Sequence, residues 1–557
     1  MRRRHFLSGM AVLGATPLYR EADLLSWLAP ADEQTFTGDN FDEAHEFLRN
    51  PRIFIDTGNW QRNDVPYDVI VVGGGISGLT TAYRLVTQPR APGRVLLLER
   101  EQKTGGVSKS DTWNGIEYAI GAAYIVKPDP GKENEKFLLD LDLLADGENI
   151  GQQGGTPDRS KKRRISSGDN HCVFTDTEVL KEDLVYSEEN VAFFREGVLW
   201  GENYPEIPVQ HQSLVDTLDA ISFTEMLANK KLQRELYGRE VGAMSKLGQE
   251  AIEYYFWGAF GTSAVETSAY HGLNFFAAEF DQVLSYPGGN AFIARRIAER
   301  LQNTRADVVQ TSHYVLRVQR EPDGRLHEVL SYHDGCIHRF LARAVVFASP
   351  LFLAKRIVTD LPDEQRDALD TLDYRSYVVA NVLLNRRMGE IFANPAFSNG
   401  YELTHVHRID VSRTQPDEIS SRKIFSDVVV ADFPVWGAPR GGVLTVYRPY
   451  PYSYGRDRLR YLSYSHIEEE VRRAVIEGFS HHGLREADIA GIRLTRWGHP
   501  MIIPRPGQIT AKGAVVRARQ SRPGLYFSHT DTQGAPAFEN ALAAANDAVK
   551  RVNDHLR

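Results

Sequence analysis

The sequence predicts an α/β protein organised around a parallel sheet, and this prediction rests on one stretch near the N-terminus. An apolar run, Val69 to Val72, has the composition of a fully buried parallel strand. It leads into a G-x-G-x-x-G turn from Gly73 to Gly78, after which small and apolar residues recur at helical spacing. A second apolar strand, Arg94 to Leu98, delivers Glu99 roughly 20 residues beyond the last glycine. Strand, turn, helix, strand and acid in this order predict a Rossmann-like unit that binds a dinucleotide.

Each residue type in this unit has a chemical reason. Gly73 allows the tight turn, Gly75 lets the backbone approach a pyrophosphate, and Gly78 lets the helix pack closely on the strand. The helix N-terminus, around Ser77, offers free N–H groups and a positive dipole end to the phosphates. Glu99 can accept hydrogen bonds from both hydroxyls of an adenosine ribose, and its charge disfavours the 2′-phosphate of NADP. The alternative is a Rossmann-like unit without a ligand.

Composition limits the classes of protein to which the chain can belong. The 557 residues are 42% hydrophobic and 25% charged, as expected for a folded chain of several domains. A net charge of −8 gives no reason to propose nucleic-acid binding. Cys172 and Cys336 are too few for a disulfide framework or a zinc site. The histidine groups 405–407 and 481–482 lack acids or cysteines nearby, so the sequence predicts no metal site.

Residues 1–31 are predicted to be a targeting segment. The run from Arg2 to Leu7 resembles a twin-arginine signal, and an A-x-A cleavage site follows at 29–31. This predicts export to the periplasm by a route that carries proteins already folded around a cofactor. The alternative is a basic N-terminus without a targeting role, on a cytoplasmic protein. Residues 32–65 are polar and are predicted to form an N-terminal arm on the surface.

After Glu99 the sequence resembles flavoproteins of the amine oxidase type. The matching residues form the family's second glycine pair and the turn beside its flavin: Gly105, Gly106, Gly121, Ala122 and Tyr124. The resemblance implies that the first unit binds the ADP half of FAD. It also implies that the glycine pair lies along the pyrophosphate and the flavin. Val107 stands where the family usually has an arginine, so one contact with the cofactor is missing or supplied elsewhere.

Two later segments extend the resemblance. A Pro-Gly-Gly turn and a helix precede a strand with Val315, whose counterpart in the family contacts the adenine through its backbone. Near the C-terminus, Asp531 matches an acid that holds a ribityl hydroxyl. Ala537 and Phe538 begin a helix whose N–H groups lie near the flavin O2 in the family.

The resemblance implies a discontinuous arrangement of two domains. A glutathione-reductase-type FAD-binding domain is built from residues 66–130, 284–350 and 505–557. A mixed α+β substrate domain is built from residues 131–283 and 351–504. Helical periodicity from Leu214 to Phe260 predicts a largely helical cap within the second domain. Residues 152–170 are polar and are predicted to be an exposed insertion.

The implied reaction is hydride transfer to flavin N5 from a C–H bond alpha to an amine nitrogen, which gives an imine. The amine must first lose its proton, because an ammonium has no lone pair to assist, and an apolar aromatic site lowers the amine pKa. Trp497 is predicted to be an aromatic wall of this site, with core packing as its alternative. His499 is predicted to be a proton acceptor.

The substrate and the electron acceptor are less closely defined. Lys355 follows Ala348-Ser349-Pro350 one residue short of the family's lysine near N5, which favours a dehydrogenase with an acceptor other than oxygen. Short motifs, including Arg496 to His499, are similar to those of bacterial spermidine dehydrogenases. They imply a polyamine substrate, for which the candidate carboxylates are Glu266, Glu279 and Asp281.

Two other functions stay open. A desaturase or isomerase of a carotenoid or lipid would need a wide apolar tunnel and an exposed apolar patch. A flavin-holding or partner-binding protein without turnover would contain FAD that amines do not reduce. The predicted partners are a small-molecule substrate and an electron acceptor, with no nucleic acid. No apolar run reaches the ~18 residues of a membrane span.

Overall fold

The computed structural model describes residues 36–38, 41–144, 164–165, 171–180, 185–194, 211–279, 282–406, 425, 427–435, 439–452 and 454–557. The predicted targeting segment and nearly all of the predicted insertion at 152–170 lie outside the described residues.

The segment that was predicted to be a surface arm is a folded part of the protein. It forms two helices and a strand: α1 (Phe41–Arg49), α2 (Pro51–Thr57) and β1 (Asn59–Arg62). Pro51 begins α2, where its missing N–H costs nothing. Phe47 is buried and stacks on Tyr314 with ring centroids 4.2 Å apart. These contacts and the parallel pairing of β1 attach the segment to the main sheet.

The first cofactor segment has the predicted strand, turn, helix and strand. Its elements are β2 (Tyr67–Val72), α3 (Ile76–Thr87), β3 (Val95–Leu98), the hairpin β4 (Ser110–Trp113) and β5 (Ile116–Ala119), β6 (Tyr124–Val126) and α4 (Glu133–Asp140). Every residue of β3 and the last four of β2 are buried. An apolar strand without alternation is buried on both faces, as parallel strands between two layers are.

The cap that follows is mainly helical, as predicted. Its elements are β7 (Arg164–Ile165), β8 (His171–Phe174), β9 (Val179–Leu180), α5 (Glu188–Ala192), α6 (Gln212–Asp219), α7 (Phe223–Ala228), α8 (Lys230–Tyr237), α9 (Lys246–Phe260), α10 (Ala269–Glu279) and β10 (Val283–Ser285). Ser222 and Glu225 form a capping box that begins α7. Gly261, in a left-handed conformation, ends α9.

The second cofactor segment returns to the main sheet. It contains α11 (Asn290–Thr304), β11 (Val309–Gln310), β12 (Tyr314–Arg320), β13 (His327–His333) and β14 (Cys336–Phe347). The last three strands form an antiparallel meander.

The remaining residues complete the substrate domain and then the cofactor domain. Their elements are α12 (Leu351–Ile357), α13 (Asp363–Asp370), β15 (Tyr374–Leu384), α14 (Met388–Ile391), α15 (Pro395–Ser398), β16 (Glu402–His405), β17 (Asp427–Val430), β18 (Gly442–Tyr450), α16 (Gly455–Tyr461), α17 (Tyr464–Phe479), β19 (Ile489–Ile502), α18 (Ala514–Ala518), β20 (Leu525–Phe527) and α19 (Phe538–Leu556).

The main sheet joins the three distant cofactor segments. Within the described residues it has eight strands, in the order β11-β3-β2-β14-β13-β12, with β1 and β20 also paired to β14. Strand β14 runs parallel to both β2 and β20, so the first, second and third segments meet side by side. The predicted fold class, a Rossmann-like domain built from discontinuous segments, is confirmed.

A second sheet belongs to the substrate domain. In the described part of the chain it has seven strands, in the order β19-β15-β18-β17-β16-β8-β9. One face packs in an apolar cluster that includes Val378, Leu403, Val428 and Val446, largely covered by α17. Because side chains alternate, the intervening residues lie on the other face. There Val429 packs with Ala119 and Ala123 of the cofactor domain, and Tyr377 contacts α9.

The described residues lack two kinds of feature. They contain no helix of the length and apolarity that crossing a membrane requires. They also contain no group of three or more histidine, cysteine or acidic side chains arranged to hold a metal ion.

Candidate functional site

The glycine turn between β2 and α3 has the geometry of a phosphate-binding turn. A Cβ on Gly78 would lie 1.9 Å from the carbonyl oxygen of Gly73, so the close approach of helix and strand excludes any side chain there. A Cβ on Gly75 would meet only the Gly106 Cα, at 3.8 Å, which leaves open space beside the turn. Among the described residues, no side chain caps α3, and its first N–H groups, around Ser77, can bind an anion.

Glu99 lies directly beside this turn. One carboxylate oxygen accepts a hydrogen bond from the Gly74 N–H over 2.6 Å, and the other accepts from the Glu101 N–H over 2.8 Å. Each carboxylate oxygen can accept a further bond, so the buried acid can still bind two ribose hydroxyls. The backbone contacts fix its orientation.

The second glycine pair packs against the first turn. The Gly105 N–H donates to the Gly74 carbonyl oxygen over 2.8 Å, and Gly106 has a left-handed φ of 61°. The structure therefore brings together both glycine motifs, which are separated by about 30 residues in the sequence. The Val107 carbonyl oxygen accepts from the Ala122 N–H over 3.2 Å, which connects the pair to the predicted flavin turn.

The predicted flavin turn, Gly121 to Tyr124, is covered by aromatic side chains of the second sheet. The Trp497 Nε1–H donates to the Ile120 carbonyl oxygen over 2.7 Å. The Tyr447 hydroxyl donates to the Gly121 carbonyl oxygen over 2.7 Å. The Tyr401 hydroxyl lies 3.3 Å from the Ala123 carbonyl oxygen. Trp497 therefore lies at the predicted site, half-buried against the turn.

The strand register shows that these aromatic residues share one face of the second sheet with two acids. Tyr377 pairs with Trp497, Val379 with Tyr447, and Val429 with Glu402. Asp427 is two residues from Val429 and shares its face. A Cβ on Gly258 of α9 would lie 1.9 Å from an Asp427 carboxylate oxygen, so that carboxylate rests on the helix backbone.

Glu402 is a buried acid at this face. The Tyr124 hydroxyl donates to its Oε1 over 3.4 Å. Desolvation raises the pKa of Glu402 to about 7, and the bond from Tyr124 opposes this rise. Desolvation also raises the pKa of Tyr401 and of Tyr447, so both hydroxyls remain protonated and can donate.

His499 lies beside Phe352, with ring centroids 4.7 Å apart, at some remove from the acids. Desolvation lowers its pKa to about 4, and Arg456, His45 and Arg356 lower it further. The imidazole is therefore neutral at neutral pH but is a weak base. These positive neighbours make it a poor acceptor for a proton from a cationic amine.

Lys355 has a different environment from the one implied by the resemblance. Its side chain is 38% exposed and forms an ion pair with Asp370. This pair holds the ammonium at the surface between α12 and α13. The family resemblance, in contrast, implies a lysine near flavin N5.

Asp531 is deeply buried, and protein groups bind its carboxylate. The Tyr374 hydroxyl and the Leu351 N–H donate to one oxygen over 2.7 and 2.9 Å, and His529 Nδ1 lies 3.1 Å from the other. Burial acts to raise the pKa of Asp531, but these contacts together lower it. The predicted ribityl contact would have to share the acid with Tyr374 and Leu351.

The two remaining predicted cofactor contacts lie at the two ends of the site. Ala537 is the N-cap of α19, where no described side chain caps the helix, and Phe538 packs in the core of the cofactor domain. Val315 lies on β12, two residues beyond His313, whose N–H donates to the Glu99 carbonyl oxygen over 2.9 Å. Val315 is therefore near the ribose acid.

Of the three carboxylates predicted to bind a polyamine, Glu266 alone has a side chain within the described residues. Glu266 accepts hydrogen bonds from Arg375 and Arg505, so its charge is compensated by the protein. Asp281 and the side chain of Glu279 lie outside the described residues. The acids that face the flavin turn are Glu402 and Asp427, which the sequence did not single out. Tyr447 lies within β18.

These features fit a bound FAD. The carboxylate of Glu99 is directed along the turn, the space at Gly75 is open, and the N-termini of α3 and α19 carry no side-chain cap among the described residues. Free N–H groups of this kind suit a pyrophosphate at one end and a flavin carbonyl oxygen at the other.

The comparisons with known proteins agree with this interpretation. The sequence profile of the family described as flavin containing amine oxidoreductase matches residues 76–418. The solved structure of cyclohexylamine oxidase from Brevibacterium oxydans IH-35A has a TM-score of 0.58 and 16% sequence identity. The structural alignment covers 88% of this chain and 100% of the cyclohexylamine oxidase chain. At this identity the similarity shows the fold.

Two curated relatives were also found. The oxidoreductase PigB of Serratia sp. is 23% identical over an alignment of 538 positions that covers 88% of this chain and 75% of PigB. The all-trans-retinol 13,14-reductase of Homo sapiens is 39% identical over only 80 residues, which are 14% of this chain and 12% of that protein.

Proposed function

Since the chain belongs to the flavin containing amine oxidoreductase family and is an FAD-dependent oxidoreductase, we propose that its substrate is an amine. The bond that breaks is a C–H bond alpha to the nitrogen, and the product is an imine. FAD, when bound, supplies the hydride acceptor for this reaction.

The residues of this chain would hold the cofactor and keep the site dry. Glu99 would bind the adenosine ribose, and the turn around Gly75 with the start of α3 would bind the pyrophosphate. Gly121 to Tyr124 would lie beside the isoalloxazine. The N–H groups of Ala537 and Phe538 would stabilise negative charge near the flavin O2.

One observation carries the proposal of an amine substrate. Three aromatic side chains cover the flavin turn: Tyr447 and Tyr401 donate hydrogen bonds to its backbone, and Trp497 donates to Ile120, the residue before it. An aromatic wall excludes water and lowers the pKa of a bound amine by desolvation. The free amine is the form whose lone pair assists hydride loss.

A finer proposal concerns the substrate class and the electron acceptor. We infer that the amine is a polyamine, because a second ammonium group needs an acid to pair with. Glu402 and Asp427 supply two buried carboxyl groups on the sheet face that is directed toward the flavin turn. We also infer that the acceptor is not oxygen. The surface ion pair of Lys355 with Asp370 supports this inference, because it leaves the implied lysine without a role near the flavin.

Anaerobic reduction of the purified yellow protein tests the proposal. Spermidine, a simple monoamine and a carotenoid are added in turn, and the visible absorbance of the oxidised flavin is recorded. Bleaching by the amines and not by the carotenoid is expected. Bleaching by the carotenoid alone would favour the desaturase or isomerase, and a flavin that none of them reduces would favour a flavin-holding protein.

The electron acceptor and the cellular location need separate tests. After reduction by an amine, we expect the flavin to be reoxidised slowly by air and quickly by a quinone or dye, and fast reoxidation by air would show an oxidase. We propose export through the twin-arginine signal at Arg2 and Arg3. Replacing both by lysine should retain the protein in the cytoplasm, and unchanged fractionation would refute the signal.

A further inference from the structure

We propose that the carboxylate of Glu402 takes the proton from the substrate ammonium before the C–H bond breaks. This inference rests on the proposed amine oxidation and assigns to one residue the step that prepares the substrate. The sequence had assigned this role to His499.

The position of Glu402 supports this role. The side chain is 8% exposed and lies on the face of the second sheet that carries Trp497 and Tyr447. Its Oε1 lies 3.4 Å from the hydroxyl of Tyr124, which is the last residue of the flavin turn. The flavin turn is therefore a neighbour of this carboxyl group, and Tyr447, two strands away, is close enough for the Glu402 charge to raise its pKa. An amine held against the turn at Tyr124 lies next to Glu402.

The charged and titratable groups around Glu402 favour a cationic ligand. The neighbouring strands carry Asp427 on β17, Tyr447 on β18 and His171 on β8, and the flavin turn carries Tyr124. Helix α9, which packs on the same strand, carries the buried acids Glu250 and Glu253. Desolvation lowers the pKa of His171 to about 4, so it is neutral at neutral pH. The groups on the neighbouring strands and the flavin turn are thus negative or neutral. The cations at α9, Lys246 and Arg375, are paired with Glu250 and Glu266, so the surroundings suit an ammonium.

His499 has the opposite surroundings. Arg456 Nη1 lies 3.4 Å from its Nδ1, and Arg356 adds positive charge nearby. A cationic amine would be repelled there, and an imidazole with a pKa of about 4 is a weak acceptor. Glu402, whose pKa desolvation raises to about 7, is matched to accepting a proton near neutral pH.

The step is a simple proton transfer. The ammonium N–H bond breaks, its proton forms an O–H bond with the Glu402 carboxylate, and the electron pair stays on the nitrogen. The free amine then has the lone pair that its oxidation requires. The neutral carboxylic acid that results is the form that burial favours.

Proton release during binding tests, without turnover, whether the amine and Glu402 together hold one proton in the complex. The probe is tert-butylammonium, which has no hydrogen on the carbon bonded to nitrogen and cannot be oxidised to an imine. Binding to the full-length FAD-loaded protein is measured by calorimetry in buffers of different ionisation enthalpy. We expect about one proton to be released per amine at about pH 6 and almost none at about pH 8, because Glu402 is already ionised there.

Difference infrared spectroscopy of the same complex at about pH 8 then shows where that proton lies. The proposal predicts that binding produces the carbonyl band of a protonated carboxylic acid and that Glu402→Gln lacks it, whereas a carboxylate that stays ionised would overturn the proposal.

The Glu402→Gln variant is measured in the same way. Its proton release should no longer depend on pH in this range. Glu402→Asp should retain the dependence. Asp432→Asn is the matched control, because Asp432 is another acid whose pKa desolvation raises, to about 6, and it lies in the turn after β17. Proton release that does not change with pH in the unmodified protein would overturn the proposal. An unchanged pH dependence of proton release in Glu402→Gln would overturn it as well. The first of these readings needs no variant to fold.

Flavin reduction by an oxidisable amine gives a second reading. Glu402→Gln should lower kcat/KM near pH 7 by about 10²-fold or more and remove the acidic limb of its pH profile. A retained limb would assign that proton to another group. If no amine reduces even the unmodified protein, the proposed function fails, whereas a loss confined to the pH dependence concerns Glu402 alone.

Discussion

The carboxylate of Glu99 accepts a hydrogen bond from the Gly74 N–H over 2.6 Å, so the acid at the end of β3 is fixed against the turn after β2. Two residues separated by 25 positions thus form one binding unit. The backbone contacts orient the side chain before any ribose arrives, which reduces the entropic cost of binding.

Replacing Glu99 should weaken FAD binding. Glu99→Gln keeps one acceptor oxygen but loses the charge and half of the acceptor capacity, so hydrogen bonds worth about 1.5–3 kcal/mol are lost. The FAD dissociation constant, measured by flavin fluorescence, should rise roughly 10- to 100-fold. Glu101→Gln, which changes the next acid in the chain, should leave it unchanged. Equal affinities of the Glu99 variant and the unmodified protein would remove Glu99 from the site.

Alanine substitutions in the glycine turn should separate binding from folding. At Gly75 the added Cβ meets only the Gly106 Cα, at 3.8 Å, so Gly75→Ala should cost at most about 1 kcal/mol of unfolding free energy. The same methyl would occupy the space needed by a pyrophosphate, so FAD affinity should fall steeply.

Gly78→Ala should behave in the opposite way. Its Cβ would lie 1.9 Å from the Gly73 carbonyl oxygen, and relief of that clash must move backbone at a cost of about 1–3 kcal/mol or more. Thermal unfolding of both apoproteins decides the matter. Similar destabilisation by the two substitutions would show that the space at Gly75 is not reserved for a ligand.

The aromatic wall predicts a matched pair of tyrosine variants. Tyr447→Phe removes the hydrogen bond to the Gly121 carbonyl oxygen and should slow flavin reduction by an amine and shift the flavin spectrum. Tyr377→Phe removes hydrogen bonds to the carbonyl oxygens of Trp257 and Gly258. It should cost about 1 kcal/mol of stability and leave the flavin spectrum unchanged. Identical spectra for Tyr447→Phe and the unmodified protein would place the flavin away from Gly121.

Lys355→Met should leave amine oxidation intact. The ammonium of Lys355 is paired with Asp370 at the surface, where an exposed ion pair contributes about 0–1 kcal/mol. Rates of flavin reduction by an amine and of reoxidation by oxygen should both equal those of the unmodified protein. A large loss in reoxidation would restore the lysine role that the family resemblance implies.

Buried histidines should make the protein less stable in mild acid. Desolvation lowers the pKa of His313 to about 4, with further lowering from His333 and His338. The unfolded chain therefore binds a proton that the folded chain does not between pH 6.5 and about 4. Stability from this residue is complete above that window and is lost as the pH falls through it.

The His313→Asn variant isolates this contribution. Between about pH 7 and pH 5 its free energy of unfolding should fall less than that of the unmodified protein, by roughly 1–2 kcal/mol. Denaturant unfolding at the two pH values measures the difference. The exposed His481→Asn serves as the control. If the free energy of unfolding of both variants falls between the two pH values as much as that of the unmodified protein, His313 is not the cause of the acid sensitivity.

Local sequence determined much of the fold and of the cofactor site. The apolar run of β2, the glycine turn and Glu99 lie within one short unit, so their spacing carries the geometry. The link between Gly105 and Gly74 could be inferred only through resemblance, because nothing in local spacing shows which glycine pairs meet. The secondary structure of the N-terminal segment had no local signal, because β1 is exposed at every residue and is held by pairing with β14.

The substrate face was harder to predict for a physical reason. Glu402 and Trp497 share one face only through the pairing of strands that lie far apart in the sequence. A lone acid after a tyrosine carries no signal in the sequence, whereas burial and strand register distinguish it in the structure. The pairing of Lys355 with Asp370 likewise depends on how α12 packs on α13.

The central claim is that an amine, held against the flavin turn Gly121 to Tyr124, loses hydride from its α-carbon to the FAD. The rate of anaerobic flavin reduction by an amine carrying deuterium at that carbon, compared with the undeuterated amine, tests it most directly. A clearly slower rate with deuterium is the predicted result. Equal rates, or a flavin that neither amine reduces, would contradict it.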